Sequence, residues 1–512
     1  MTSAASRRVL VIGLDCAEPS LVFERWRQDL PTLNRLLSHG AYGRLESSHP
    51  PITVPAWSSM LASCDPGQLG FYGFRNRADY SYEKMTIANS AAVQAPRVWD
   101  VLSQAGKRSI VVGVPQTYPV QPLNGLLVSD FLTPPDAHQW TYPPSLAEEI
   151  TTLLGGEPYE FDVKGFRTND KAWLLDSIYR MTRKRWRILH ALLEREPWDF
   201  FMVVEMGTDR IHHGLWSTMD PQHLRYQPGN PFEQAIHDYY VYLDNEIGSL
   251  LDQVGDKTIV MVVSDHGAQR MDGGFCVNEW FKQQGYLALN EQPPGLVGLD
   301  RCRVNWSRTR AWGSGGYYAR IFMNVAGREP QGIIPAEDYE AERDRLKAEL
   351  EATTGPDGQS LGTVALKPQA IYREVNGIAP DLIVYFGGLR WRSVGTLGHG
   401  SLYTFENDTG PDDANHAQHG LIIVHDPRVP LHGQVLHGLQ LECIGPTLLH
   451  WLGVDVPETM MGTPIPLPVE TLAAHPAIPP TVETSEAQAA ASGYTPEEEE
   501  AISDHLAALG YL

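Results

Sequence analysis

Residues 257–267 read KTIVMVVSDHG, an apolar run that ends on a carboxylate, an imidazole and a glycine. The apolar part, 259–263, is rich in β-branched residues and lacks the alternation of a half-exposed strand. This pattern is typical of a strand that is buried on both faces of a parallel sheet. Ligands of open α/β sheets bind beyond the carboxyl ends of the strands, so Asp265 and His266 are expected at a functional edge. The stretch by itself is equally compatible with Asp265 capping a turn beside a solvated His266.

Five other apolar runs resemble this strand. They are RVLVIGLD (8–15), RSIVVGVP (108–115), DFFMVVEMG (199–207), DLIVYF (381–386) and GLIIVHD (420–426). Helix-like stretches lie between them, including residues 174–196 and 442–454. Strands that alternate with helices predict an α/β fold with a doubly wound, mostly parallel central sheet and helices on both faces.

The composition is that of a large globular protein. The 512 residues are 42% hydrophobic and 20% charged, with length for roughly two to four domain-sized units. Forty Lys and Arg against 62 Asp and Glu give a formal net charge of -22. Such a balance argues against a nucleic-acid partner, which needs clustered positive charge. An anionic ligand must therefore be attracted by local positive charge, such as a metal ion.

The chain shows no sign of export or membrane insertion. No apolar stretch approaches the ~20 residues of a membrane span, and the N-terminal sequence lacks the apolar region of a secretory signal. The five cysteines are sparse and have no CxxC spacing, which argues against disulfides and thiolate metal sites. We therefore expect a cytoplasmic protein with no membrane partner, and leave open whether it forms a homo-oligomer.

The chain divides into three segments. Residues 1–467 are predicted to form the catalytic domain, with 290–410 as a cap or insertion, because Gly-rich turns and a charged helix interrupt the pattern there. Residues 468–494, rich in Pro, Ala, Ser and Thr, are predicted to be a linker. An amphipathic helix is predicted over 495–512, and it should dock on its own chain or on a sister subunit. Its signals are Thr495 as N-cap, Pro496, Glu498 completing a capping box, the apolar Ile502, Leu506 and Leu509, and a terminating Gly510.

Carboxylates and imidazoles lie near the ends of several predicted strands. The six candidates are Asp15, Asp209, His213, Asp265, His266 and His416. Each of them alone could cap a helix or face solvent, but a doubly wound sheet would gather such residues at one edge. Asp209 and His213 would lie one helical turn apart on the same face, with His212 pointing elsewhere. Asp and His sets of this kind suit zinc or manganese better than calcium or magnesium.

The segment HPPITVPAWSSML (49–61) suggests a reaction. It passes from an extended, Pro-rich stretch into a helix-like run that starts near Thr53. A hydroxyl at a helix start has backbone N–H groups nearby, which favours the binding of a phosphoryl oxygen. Threonine becomes a nucleophile only when a base or a metal activates it. The alternative is that Thr53 is simply the N-cap of the helix.

Together these segments resemble the alkaline phosphatase superfamily. The closest resemblance is to its type I phosphodiesterase/nucleotide pyrophosphatase branch and the related phosphohydrolase/phosphomutase group. The matching pieces are GLD at Asp15, TVPAW at Thr53, TDRIHHGLW at Asp209, SDHG at Asp265 and HAQHG at His416. They occur in the family's order, so the resemblance spans about residues 8–466.

The resemblance implies a site with two divalent ions, zinc or alternatively manganese, about 4 Å apart. Asp209, His213 and His416 would hold one ion. Asp15, Asp265 and His266 would hold the other, with Thr53 as the bridging nucleophile. In GFYGFRNR (70–77), Asn76 is the candidate for binding a phosphate oxygen, although the local pattern departs from the family's.

The function implied is hydrolysis of a small phosphorylated substrate, a phosphodiester or nucleotide pyrophosphate, through a phosphothreonine intermediate. A phosphomonoesterase or a phosphomutase would use the same site and is the alternative. A sulfatase is disfavoured because Thr53-Val54-Pro55-Ala56-Trp57 contains neither the Cys or Ser nucleophile nor the Arg of that branch. A non-catalytic binding module is disfavoured because neither the nucleophile nor any metal ligand is missing.

Overall fold

The computed structural model describes residues 7–468 and 493–508. The β-strands of these residues are, in chain order, β1 (Arg8–Leu14), β2 (Ala41–Glu46), β3 (Arg75–Arg77), β4 (Met85–Ile87), β5 (Ser109–Val112), β6 (Gly125–Val128), β7 (Thr141–Tyr142), β8 (Phe200–Glu205), β9 (Thr258–Val263), β10 (Gly267–Arg270), β11 (Gly273–Cys276), β12 (Ala311–Ser314), β13 (Ala319–Met323), β14 (Val364–Leu366), β15 (Leu382–Tyr385), β16 (Trp391–Val394), β17 (Tyr403–Thr404), β18 (Ala414–Ala417), β19 (His419–His425) and β20 (Gln434–Gln440).

The α-helices of the same residues are α1 (Pro31–His39), α2 (Thr53–Ala62), α3 (Pro66–Leu69), α4 (Val98–Gln104), α5 (Leu146–Leu153), α6 (Lys171–Arg195), α7 (Gly207–Met219), α8 (Ala235–Val254), α9 (Val277–Gln283), α10 (Tyr339–Glu351), α11 (Pro368–Ile371), α12 (Ile444–Trp451) and α13 (Pro496–Ala508).

A nine-stranded sheet forms the centre of the molecule, in the order β20-β2-β19-β9-β1-β8-β5-β6-β7. Five of its eight strand pairs are parallel. The strand predicted around Val262 is β9, which is buried along its whole length between β1 and β19. Helices flank the sheet, with α6, α7 and α8 packed together and α12 packed on α2 and α4. The predicted α/β class with a mostly parallel central sheet is confirmed.

The apolar run at 381–386 lies outside the central sheet. Its strand, β15, belongs to an antiparallel four-stranded sheet of order β12-β13-β15-β14, which we call the cap sheet. An apolar run indicates burial but not the partner strand. In this region a second apolar core supplies the burial, and it includes Phe275, Ile321, Leu346 and Val384. The predicted cap limits of 290 and 410 stay a prediction.

The C-terminal helix α13 packs against the rest of the chain. Thr495 and Glu498 form the predicted capping box: Oγ1 of Thr495 accepts from the backbone N–H of Glu498 at 3.2 Å, and the N–H of Thr495 donates to the Glu498 carboxylate at 2.9 Å. Ile502 and Leu506 are buried in the main core. Leu509, Gly510 and most of the predicted linker, residues 469–492, lie outside the described residues. Within the described ranges, no helix has the length and apolar character needed to cross a membrane.

Candidate active site

The candidate ligands converge because of the order of the strands. The parallel neighbours β8, β1 and β9 end at the same edge of the sheet. Asp15 follows β1 directly, α7 starts two residues after β8 and carries Asp209, and Asp265 lies two residues beyond β9. His416 arrives on β18, where it is paired with Ala268 of β10. The structure thus brings together all six residues that the sequence indicated.

The donor atoms of the six side chains form two adjacent groups. One contains Asp209, His213 and His416, and the other contains Asp15, Asp265 and His266. Within each group the donor atoms lie within 4.8 Å of one another, and every residue is fully buried. Asp209 Oδ1 lies 3.3 Å from His213 Nε2, and Asp265 Oδ2 lies 3.1 Å from His266 Nε2.

The chemistry of this donor set fits two divalent cations. In the described chain, one oxygen each of Asp15, Asp209 and Asp265 is buried without a hydrogen-bond partner. The Nε2 atoms of His213 and His416 face each other at 3.2 Å. Burial raises the pKa of both Asp15 and Asp265 well above the usual range, and neighbouring carboxylates raise it further. Such a cluster stays ionised only with positive charge beside it, which bound cations provide.

The imidazoles of the site differ in basicity. Burial lowers the pKa of His213, but the carboxylates of Asp412 and Asp209 outweigh that effect and raise it to about 9. Burial lowers the pKa of His266 to about 4. An imidazole binds a metal ion only in its neutral form. A cation that binds at His213 therefore has to displace a ring proton that the two carboxylates stabilise.

Thr53 occupies the first position of α2. Ile52 is the N-cap, and no side chain accepts a capping hydrogen bond. Thr53 is therefore not the N-cap of α2, in contrast to the alternative considered from the sequence. The Thr53 hydroxyl is fully buried, and its Oγ1 lies 3.4 Å from Nε2 of His266. The first turn of a helix leaves backbone N–H groups without intrahelical partners, so donors are available beside the hydroxyl.

His213 is held by groups that the sequence analysis did not identify. Its Nδ1 lies 2.8 Å from Oδ1 of Asp412, and Asp412 is paired with Arg167 at 2.6 Å. The hydroxyl of Tyr317 donates to Asp412 at 3.0 Å, and its ring stacks on His213 with centroids 4.8 Å apart. Such partners fix the orientation of a metal-binding imidazole. The sequence feature that could have indicated Asp412 was the acidic pair Asp412-Asp413 just upstream of His416.

Two further contacts orient ligands of the site. The indole N–H of Trp57 donates to Oδ2 of Asp15 at 2.7 Å, which explains the tryptophan in TVPAW one turn after Thr53. Nδ1 of His416 lies 2.8 Å from the backbone carbonyl of Pro51. The segment that carries the hydroxyl therefore also positions one ligand of each group.

Arg210 joins the site to the C-terminal helix. Its guanidinium contacts Asp209 and forms two hydrogen bonds with Asp162, at 2.7 and 2.8 Å. Asp162 also lies beside His505 of α13, whose Nε2 is 3.3 Å from Oδ2. Arg210, Asp162 and His505 therefore connect α13 to Asp209, one of the candidate metal ligands.

His212 and Cys16 lie beside the ligands. His212 points away from them, as predicted, with Nδ1 at 3.1 Å from the Cys16 carbonyl and Nε2 at 3.2 Å from the Tyr240 hydroxyl. Cys16 is one of the five cysteines for which the sequence analysis expected no metal site, yet its sulfur lies within the Asp209 group. Its backbone N–H donates to Oδ1 of Asp265 at 3.2 Å. Cys16 therefore helps to position the second group whether or not its thiol binds metal.

The side chain of Asn76 is used within its own turn. Its Oδ1 accepts from the backbone N–H of Tyr72 at 2.7 Å, and its Nδ2 donates to the carbonyl of Gly73 at 3.0 Å. A role in binding a phosphate oxygen stays a prediction for this residue.

Known proteins share this fold. A search of curated proteins finds no relative that matches the chain in sequence. Human ectonucleotide pyrophosphatase/phosphodiesterase 5 superimposes with a TM-score of 0.51 at 13% identity, over 88% of this chain and 96% of that chain. An inactive form of the murine protein in complex with AMP gives 0.51 at 12% identity, with the same coverage of 88% and 96%.

A third solved structure is phosphonoacetate hydrolase from Sinorhizobium meliloti 1021 in complex with phosphonoformate. Its TM-score is 0.51 at 16% identity, over 85% of this chain and 91% of that chain. At these identities the likeness establishes the fold alone. The family model for type I phosphodiesterase/nucleotide pyrophosphatase matches residues 9–412, well over half of the chain. The predicted enzyme class, a metal-dependent phosphoric ester hydrolase, is confirmed, and the chain belongs to the type I phosphodiesterase/nucleotide pyrophosphatase family.

Proposed function

We propose that the chain hydrolyses a phosphodiester or a nucleotide pyrophosphate through a covalent intermediate on Thr53, with two divalent cations in the site. The observation that carries the proposal is the position of the Thr53 hydroxyl. It is buried at the start of α2, 3.4 Å from a ligand candidate of one group, His266. A hydroxyl in this position is adjacent to both the candidate cations and the N–H donors of a helix start.

The ligand groups would be divided as the family resemblance implies. Asp209, His213 and His416 would hold one cation, and Asp15, Asp265 and His266 the other, with Thr53 beside the second. The mixture of imidazole and carboxylate donors favours zinc, with manganese as the alternative. When bound, the cations supply Lewis-acid charge that favours ionisation of the hydroxyl and neutralises phosphoryl oxygens.

The reaction would proceed in two displacements. Oγ1 of Thr53 forms a bond to phosphorus while the bond from phosphorus to the leaving oxygen breaks, and the leaving oxygen takes up a proton. The oxygen of water then bonds to phosphorus while the bond from phosphorus to Oγ1 of Thr53 breaks. A proton of that water passes to Oγ1, and the phosphorylated product is released. The backbone N–H groups at the start of α2 orient a phosphoryl oxygen during both steps.

The test uses bis-p-nitrophenyl phosphate and p-nitrophenyl phosphate on the same preparation. We expect faster hydrolysis of the diester, whereas faster hydrolysis of the monoester would favour the phosphomonoesterase alternative. Thr53→Val keeps the shape of the side chain but has no hydroxyl, so it should retain metal and lose turnover by orders of magnitude. Thr53→Ser, which keeps the hydroxyl, should retain part of the activity. A Val variant with near-normal turnover would remove Thr53 from the mechanism.

A further inference from the structure

A cavity of about 520 Å³ lies between the β3–β4 hairpin and the cap sheet. Four arginines line it: Arg75 and Arg77 on the hairpin, Arg320 on β13 and Arg392 on β16. So much positive charge is unusual in a protein whose formal net charge is -22. The four arginines outnumber the three acidic residues of the same lining, Glu83, Asp300 and Asp408.

This cavity adjoins the proposed active site. Gly316 forms part of its lining. The next residue, Tyr317, places its ring 4.8 Å from that of His213 and 4.5 Å from that of His416, measured between centroids. Consecutive Cα atoms are only about 3.8 Å apart. The cavity wall at Gly316 is therefore one residue away from a side chain that contacts two of the candidate metal ligands.

Two of the four arginines already have acidic partners. Arg77 pairs with the buried Glu329 at 3.0 Å, and Arg392 pairs with Asp408 at 3.4 Å. The two ion pairs neutralise the charges of Arg77 and Arg392 and hold these side chains in the wall of the cavity.

The other two, Arg75 and Arg320, have no carboxylate within ion-pairing distance among the residues that the structure describes. Arg320 is only 6% exposed, and its guanidinium donates to neutral groups, the carbonyl of Arg75 and the hydroxyl of Ser314. Burial lowers the pKa of Arg75 and the adjacent charge of Arg320 lowers it further, while the charges of Asp300 and Glu499 oppose the shift without cancelling it. The acidic residues Asp300 and Glu83 also line the cavity, but they are exposed at its rim. The buried guanidinium of Arg320 and the half-buried one of Arg75 lie side by side with no carboxylate in ion-pairing distance in the described chain, and such a pair favours a bound anion.

Aromatic side chains form an apolar wall of the same cavity. Tyr82 stacks on Trp306 with ring centroids 3.7 Å apart, and Trp312 meets Trp306 edge-on at 5.0 Å. The cavity can therefore hold a carbon skeleton as well as the charged group attached to it.

We propose that Arg75 and Arg320 bind a second oxyanion, a phosphate or a carboxylate, carried by one substituent of the phosphoester. The proposal rests on the proposed function, because it places the phosphorus of the substrate at the metal ligands. It narrows the substrate class to phosphoesters with at least two anionic groups.

The kinetic test compares p-nitrophenyl alkyl phosphates that differ only at the end of the alkyl chain. The alkyl group ends in methyl, carboxylate or phosphate. Linkers of three and six methylenes cover a short and a long distance between the phosphorus and the terminal group. The readout is the ratio of kcat/KM for an anionic diester to that for the methyl-ended diester. This ratio does not depend on the fraction of active enzyme. The carboxylate and phosphate arms show which oxyanion is preferred.

We expect a wild-type ratio of about ten or more, since a charge-assisted hydrogen bond contributes about that factor. Arg320→Gln and Arg75→Gln should each lower the ratio about tenfold. The matched control is Arg345→Gln, which removes one positive charge from the exposed face of α10, away from the cavity. A wild-type ratio near or below one, or an equal fall in the control, would overturn the proposal.

A binding measurement separates this proposal from the proposed function. Calorimetry should show that propane-1,3-diol bisphosphate or hexane-1,6-diol bisphosphate binds wild type at least tenfold more tightly than propyl phosphate does, with the preference lost in Arg75→Gln/Arg320→Gln. If the enzyme hydrolyses no diester but shows this preference, the proposed reaction is wrong and the anion subsite stands. If it hydrolyses the methyl-ended diester and shows no preference, the subsite is wrong and the reaction stands.

Discussion

Nδ1 of His213 lies 2.8 Å from Oδ1 of Asp412, and both side chains are fully buried. The contact turns Nε2 of the same ring towards Asp209, whose Oδ1 lies 3.3 Å away. One side of the imidazole is therefore fixed by a carboxylate while the other is presented to the proposed metal position. With a cation bound at Nε2, the arrangement would be a carboxylate–histidine–metal triad, in which Arg167 holds the carboxylate.

Asp412→Asn should weaken metal binding about 10- to 100-fold, because the amide cannot orient and polarise His213 as the carboxylate does. Chelator competition on purified protein measures the effect. Asp413→Asn is the matched control, since Asp413 is also buried but contacts Ser217 and Lys171. Equal losses in the two variants would contradict a specific role for Asp412.

The two adjacent histidines of α7 should differ in their effect on metal content. The purified enzyme should carry about two divalent transition metals per chain, and His213→Gln should lose at least one of them. His212→Gln should keep both, because the ring nitrogens of His212 contact the backbone carbonyl of Cys16 and the Tyr240 hydroxyl, and not the side chain of a candidate ligand. Elemental analysis decides, and unchanged metal content in His213→Gln would remove that residue from the ligand set.

The sequence was sufficient to predict the local features of the site. The abrupt end of the apolar run at Val263 predicted where Asp265 and His266 lie, and the four-residue spacing of Asp209 and His213 predicted their shared helix face. Both features depend on backbone periodicity, which a sequence displays directly. The order of the motifs in the family then allowed Thr53 and His416, which are distant in sequence, to be assigned to the same site.

Features that depend on tertiary packing were not predictable. Asp412 and Arg167 meet across 245 residues of sequence, and no periodicity links them. The run at 381–386 looks like a central strand because it is buried, yet its hydrogen-bond partners are β13 and β14. Arg75 lies in the segment 70–77 quoted for Asn76, but nothing in the sequence links it to Arg320. Their proximity follows from the packing of the cap against the hairpin.

Deleting residues 490–512 should destabilise the protein while leaving its metal content intact. The deletion removes the buried Ile502 and Leu506, whose burial contributes about 1.5–3 kcal/mol each. Chemical denaturation measures the loss, and Glu500→Ala, at an exposed position of α13, should change little. Unchanged stability after the deletion would show that α13 does not dock on this chain in solution.

The contribution of Asp162 to stability should depend on pH. Burial raises the pKa of Asp162, but the charges of Arg210 and then His505 outweigh burial and hold it below its usual range. A depressed folded-state pKa stabilises the protein above the unfolded value, about 3.9, and the contribution is lost as the pH falls towards the folded value. Asp162→Asn should therefore lower the free energy of unfolding by roughly 3 kcal/mol at pH 7 and by clearly less at pH 3. A chelator is present throughout, so that metal binding does not contribute to the difference. A stability difference between wild type and Asp162→Asn that does not change with pH would contradict the ion pairing of Asp162 with Arg210 and His505.

The most direct test of the central claim is to trap the intermediate on Thr53. A reaction with bis-p-nitrophenyl phosphate is quenched in acid during turnover, and the peptide that contains TVPAW (53–57) is analysed by mass spectrometry. We predict that Thr53 carries a p-nitrophenyl phosphoryl group, and that the same peptide is unmodified in Thr53→Val loaded with metal. An unmodified Thr53 peptide, quenched from wild-type enzyme at several times during rapid turnover, would contradict the covalent mechanism and leave direct attack by water as the explanation.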